Sequence, residues 1–124
     1  MPFTGSEIQD GPLTVRTALD GERVRLSLEG ELDLSNVHTA ESALEQACGE
    51  DKDVLVDLGP LEFLDSTGIS LLVRALAGRD GARLSFLPSE AAAVRRLLNM
   101  TGLDQRLPLA VEDEGSILRA LPPA

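Results

Sequence analysis

Aromatic side chains are nearly missing from this chain: three Phe, no Tyr and no Trp in 124 residues. A core built from it must be aliphatic, and it offers no stacking platform for single-stranded nucleic acid. Cysteine is equally scarce. Cys48 stands alone, so no internal disulfide can form and nothing signals a secreted scaffold. Its neighbours Ala47 and Gly49 supply no base to activate the thiol, and it reads as a small apolar residue near a helix end. His38 is the sole histidine, and no Gly-x-Ser-x-Gly elbow accompanies it. Walker and dinucleotide-binding glycine loops are absent. So are paired Cys or His and Asp-rich calcium loops. No catalytic residue, cofactor or metal is expected. No apolar run approaches the ~20 residues that span a bilayer, and residues 1–11 lack the basic start and apolar stretch of a signal peptide. The expected location is soluble and cytoplasmic.

What the chain has in quantity is acid and aliphatic carbon. Twenty-one acidic residues oppose 11 basic ones, a formal net charge of −10. Such a chain repels phosphate backbones and anionic lipid, so neither nucleic acid nor membrane is an expected partner. A hydrophobic share of 43% is enough for one core, and the length suits a single domain.

Residues 1–12 are rich in Gly, Pro and polar side chains and read as a flexible lead-in to a domain over 13–121. Leu13 to Thr17 and Val24 to Gly30 alternate apolar and polar residues, as half-buried strands do. Asp20-Gly21 between them signals a hairpin. A helix of about twelve residues follows, capped by Ser35 or Asn36. Val37, Ala40, Ala43, Leu44 and Ala47 lie on one face, and Gly49 stops the helix. Val54 to Leu58 is short and almost wholly apolar, the mark of a strand buried on both faces. A loop over Gly59 to Asp65 leads to a second helix, Ser66 to Ala77, lined by Ile69, Leu72, Val73 and Leu76, with Leu71 and Ala75 broadening the apolar face. After a turn at Asp80-Gly81, Arg83 to Leu87 makes the next strand, parallel by the βαβ rule. Ser89 is placed to cap a third helix with Val94, Leu97 and Leu98 inward. Leu107 to Val111 reads as a final edge strand and Glu114 to Leu121 as a short last helix. The sum is a small α/β domain. Its mixed sheet starts antiparallel and continues parallel, and about four helices pack on it.

Sites in α/β sheets form at the carboxyl ends of parallel strands, which directs attention to Asp65-Ser66-Thr67-Gly68. Taken locally, this is a helix start. Ser66 can cap it by offering its hydroxyl to the amide of Gly68 or Ile69, and Gly68 admits a close neighbour.

The whole pattern says more. Gly30-Glu31-Leu32-Asp33, Val54 to Leu58, Leu61-Glu62-Phe63-Leu64-Asp65-Ser66-Thr67-Gly68-Ile69 and Asn99-Met100-Thr101-Gly102-Leu103 together resemble the anti-sigma-factor antagonists. These are single-domain members of the STAS family, and the resemblance covers roughly residues 13 to 112. It implies a STAS-like fold and a bacterial phosphoprotein that regulates transcription by partner switching. The unphosphorylated form would bind an anti-sigma factor, itself a serine kinase, and free the sigma factor. Phosphorylation of the serine after the aspartate, Ser66 here, would end the binding, and a serine phosphatase would restore it. Thr67 is a lesser second phosphosite candidate. Asp33, Asp65, Ser66, Thr67 and Gly68 are the implied partner-binding residues. The alternative within the family is a domain that senses a nucleotide or other small ligand, or serves as a scaffold.

Overall fold

In the computed structural model, which describes residues 5–49, 52–77, 84–108, 110–112 and 118–120, the sheet begins with β1 (Ser6–Asp10). It turns through Gly11, at φ 60, into β2 (Leu13–Asp20) and pairs with it antiparallel, Asp10 opposite Leu13. Part of the lead-in expected over 1–12 is therefore an edge strand. β2 turns at Gly21, φ 67, into β3 (Arg23–Leu32), again antiparallel, as the alternation and the Asp-Gly turn predict. Val24, Leu26 and Leu28 are buried and the residues between them half-buried.

β3 is the pivot of the sheet. Its first half pairs parallel with β4 (Asp53–Asp57), from Arg23 opposite Asp53 to Ser27 opposite Asp57. Its last residues pair parallel with β5 (Leu61–Leu64) instead, and the register shifts between Gly30 and Glu31. Gly30 takes φ 96, and a Cβ there would overlap the Pro12 carbonyl oxygen. β6 (Leu84–Leu87) lies parallel on the far side of β4, giving the order β1-β2-β3-β4-β6 with β5 beside the end of β3. The loop expected over Gly59 to Asp65 thus contains a strand. The backbone donors and acceptors of β3 beyond the end of β4 need partners, and β5 supplies them.

Helix α1 (Val37–Cys48) buries the five residues its spacing predicts: Val37, Ala40, Ala43, Leu44 and Ala47. Asn36 sits at its N-cap position, but its side chain does not cap. It turns back into the preceding loop, donating to the Glu31 carbonyl at 3.0 Å and accepting from the Asp33 amide at 3.0 Å. Gly49 does follow the last turn, with right-handed backbone at φ −76. Helix α2 (Ser66–Ala77) buries Gly68, Leu71 and Leu72. Helix α3 (Ala92–Met100) buries Val94 and Leu98, with Leu97 half-buried. Ser89 lies too far upstream to cap α3. It is buried, donating to the Leu61 carbonyl at 2.7 Å and accepting from the Ala91 amide at 3.0 Å, and so ties the approach of α3 to β5. Val54 and Val56 join one aliphatic core with the helices, while Leu55 packs with Leu87 on the opposite face, so β4 is buried on both sides.

A 3-10 turn, Leu103–Gln105, follows α3. The Phe86 amide donates to the Pro108 carbonyl at 2.8 Å, so the chain runs beside β6 there as an edge strand would. Strand pairing itself begins later: β7 (Ala110–Glu112) pairs antiparallel with β8 (Leu118–Ala120) in a separate two-stranded sheet. Leu118–Ala120 is therefore strand, not the end of a helix over Glu114 to Leu121; the remainder of that segment, and the turn at Asp80-Gly81, lie outside the described residues. Among the described residues there are three α-helices, against the four or so expected. None of them is long and apolar enough to cross a membrane.

Candidate functional site

The end of β3 and the start of α2 are drawn together by backbone. The Asp65 amide donates to the Leu32 carbonyl at 3.3 Å, continuing the β3–β5 pairing by one residue. The Asp65 carbonyl accepts from the Ile69 amide at 3.0 Å, which makes Asp65 the N-cap residue of α2. Its side chain completes the cap. Oδ1 accepts from the Thr67 amide at 2.9 Å, the Gly68 amide at 3.2 Å and the Thr67 hydroxyl at 2.5 Å. Oδ2 accepts from the Leu34 amide at 3.2 Å, reaching across to the loop after β3. The Thr67 hydroxyl bond, with the three amides, holds the Asp65 carboxyl below its ordinary value of 3.8 against the opposing effect of burial.

Ser66 is the first residue of α2, and it is exposed. It does not make the expected cap. A residue already in helical conformation cannot fold its side chain back on the N2 and N3 amides as the residue before the helix can. Asp65 stands in that preceding position and takes those amides itself. Among the described residues the Ser66 hydroxyl has no hydrogen-bond partner. Thr67 differs: half-buried, with its hydroxyl committed to Asp65.

Gly68 is buried. A Cβ there would overlap Leu64 Cδ1 and press on the Leu32 side chain at 3.1 to 3.2 Å. The close approach that a glycine allows is used by the chain itself, letting the first turn of α2 settle onto the ends of β3 and β5.

Asp33 lies in the loop joined to Asp65 through the Leu34 amide. Its carboxylate is turned to Ser35, accepting from that amide at 2.9 Å and from the hydroxyl at 2.6 Å. Asp33 and Asp65 therefore bracket one short stretch of surface, with Leu34 between them 69% exposed. The five residues singled out in the sequence come together: Asp65 organises, Ser66 is presented, Thr67 is held, Gly68 supports from beneath and Asp33 flanks. The reading of the sequence missed the capping role of Asp65, although Asp ranks with Ser as an N-cap residue. It also missed the exposure of Leu34. His38, in the first turn of α1, is exposed.

A sequence model of the STAS domain family, described as the Mlab STAS domain, matches residues 15–112. A search of curated proteins finds no match. Among solved structures, an anti-sigma factor antagonist from Mycobacterium paratuberculosis superposes with a TM-score of 0.73 at 24% identity, over 82% of this chain and 89% of that one. The anti-sigma factor antagonist SpoIIAA, solved in its unphosphorylated form, superposes with a TM-score of 0.61 at 23% identity, over 82% of this chain and 91% of that one. At these identities the likeness is one of fold.

Proposed function

The chain belongs to the STAS domain family, and on that footing we propose that it is an anti-sigma-factor antagonist switched by phosphorylation of Ser66. In its unmodified form it binds an anti-sigma factor that is also a serine kinase, and so releases a sigma factor. Phosphorylation ends that binding and a serine phosphatase restores it. The chain acts in the cytoplasm by association, not by catalysis.

One observation carries the choice of residue. Of the two adjacent hydroxyls, that of Ser66 is exposed and unbonded, and that of Thr67 is bound to Asp65 at 2.5 Å. Electrostatics supports the consequence. A phosphate adds about −1.5 to −2 charges. The positive end of the α2 dipole tolerates an anion there to the extent of ~1 kcal/mol, so the isolated protein keeps its fold. In a closed interface the phosphate stands beside Asp65 and Asp33 and must also lose water. Like charges so placed cost several kcal/mol, and ~2.8 kcal/mol is already a hundredfold in affinity.

Incubation with a serine-kinase anti-sigma factor and ATP, followed by mass mapping, tests the site. Phosphate is expected on Ser66, absent in Ser66→Ala and retained in Thr67→Val. Phosphorylation of Ser66→Ala at the wild-type rate overturns the assignment. A second reading, a ligand-sensing domain, has one feature in its favour. A groove of about 480 Å³ between α1 and α2 is lined by Leu44, Cys48, Leu71 and Ala75 and rimmed by Glu41 and Arg74, a volume within the range of small-molecule sites. A nucleotide that co-purifies and protects α1 and α2 from hydrogen exchange would favour it.

A further inference from the structure

The strand that leads into Asp65 and Ser66 forms one wall of an apolar groove left open among the described residues. The groove runs between β5 and α3, has a volume of about 240 Å³, and is lined chiefly by Phe63, Leu64, Ala93, Arg96, Leu97 and Met100. Phe63 is 47% exposed and Met100 is 74% exposed. Of the two described aromatic residues, Phe86 is wholly buried and Phe63 is spent at this surface. Isolated apolar residues on a surface need no explanation, but a contiguous set does. Phe, Met and Arg are the residue types enriched where protein interfaces are most buried.

The charge of the groove runs against that of the molecule. In a chain of net charge −10, no carboxylate lines it and its one charged residue is Arg96. Arg95, next along the helix, is taken up by the carbonyls of Ser89 at 3.1 Å and Glu90 at 2.7 Å. Among the described residues Arg96 makes no hydrogen bond or ion pair. One wall of the groove leads into the Ser66 junction: Phe63 and Leu64 are followed directly by Asp65, to which exposed Leu34 donates its amide.

We propose that this groove is the second half of the partner interface. It receives an amphipathic helical segment of the anti-sigma factor, whose apolar side chains seat against Phe63, Leu97 and Met100 and whose carboxylate pairs with Arg96. The inference rests on the reading of Ser66 as the partner-facing residue. It adds the chemistry of what lies beside that residue: the partner brings an acidic group, although the antagonist as a whole is acidic. Apolar anchors supply affinity, and the Arg96 pair fixes orientation.

Two measurements separate the groove from the switch. In the first, methyl and amide NMR spectra of the full chain are followed on adding a helical peptide of roughly five turns, about 18 residues. The peptide carries leucines on one face and glutamates along its flank. A matched peptide has lysine in place of glutamate. The glutamate peptide is expected to shift the Met100 methyl and the amides of 93–100, with affinity falling roughly tenfold in Arg96→Glu. Net charge alone favours the lysine peptide, so stronger or equal shifts of these residues by it, or no shifts by the glutamate peptide, overturn the proposal. In the second, affinity for the serine-kinase anti-sigma factor is measured for Arg96→Glu and Met100→Ser, both at exposed positions. Each is expected to lose roughly tenfold. If Ser66→Asp weakens binding and these two variants do not, the groove lies outside the interface and the switch stands. If the groove variants weaken binding and Ser66→Asp does not, the switch fails and the groove stands.

Discussion

The carboxylate of Asp65 accepts from four donors in two segments: both groups of Thr67, the Gly68 amide and the Leu34 amide. It caps one helix and pins the loop that follows β3, so its removal acts on both. Asp65→Ala is expected to cost about 1 to 2 kcal/mol, the upper part of the range for lost caps, measured by urea denaturation at neutral pH. The sign of the pH dependence follows from the lowered carboxyl. A group ionised more readily in the folded than in the unfolded chain stabilises fully above its unfolded value, near 3.8, and that contribution is lost as pH falls through the lower folded value. The gap between wild type and Asp65→Ala should therefore be widest at neutral pH and shrink in acid. A gap that is the same at both would mean that the ionised carboxyl is not what stabilises the junction. At this scale the pair Asp65-Ser66 was visible in the chain. The division of labour between them was not, because Asp and Ser are equivalent N-cap residues by propensity. The helix start had to be located to within one residue to tell them apart.

Where elements meet, glycines at two positions set how close they come. Gly30 lets β3 change partners from β4 to β5 with φ 96, and the Pro12 carbonyl oxygen stands where a Cβ would be. Gly68 lets α2 rest on Leu32 and Leu64. The two should respond differently to alanine. Gly30→Ala meets both a left-handed backbone and an obstructing main-chain atom, and a loss of about 3 kcal/mol is expected. Gly68→Ala gains helix propensity of ~1 kcal/mol and overpacks leucine side chains that can give, at roughly 1 to 3 kcal/mol. A net loss near 1 kcal/mol follows. Denaturation midpoints of the two variants test the order, which would be reversed if the α2 contact were the stiffer one. The β5 strand that these glycines serve was read as loop for a physical reason. Leu61 to Leu64 is four residues with buried ends and exposed centre, so it carries no period-2 signal. It becomes a strand because β3 outruns β4 and leaves an edge to pair with.

For the molecule as a whole, the phosphorylation proposal makes a separable demand: affinity changes and stability does not. Ser66→Asp places a charge at an exposed first-turn position, and surface changes of this kind fall within about ±0.5 kcal/mol. Its thermal midpoint is expected to match wild type while affinity for the anti-sigma factor falls about a hundredfold. A variant that loses both would have lost binding through its fold, and the charge argument would not apply.

Periodicity was enough to place the opening hairpin, the buried face of α1, the doubly buried β4 and the α/β class, because each writes its burial into its own residues at a spacing of two or of three and four. The family pattern was enough to single out Ser66. Neither could show that the lead-in holds an edge strand or that Leu118–Ala120 is strand. Nor could they show that Asn36 and Ser89 turn their side chains into the core of the loops instead of capping helices. Those outcomes depend on which backbone groups are left unpaired by distant segments. Ser66 stands free for the same reason: the amides its hydroxyl could have capped are taken by a carboxylate that the pairing of β3 with β5 brings into place.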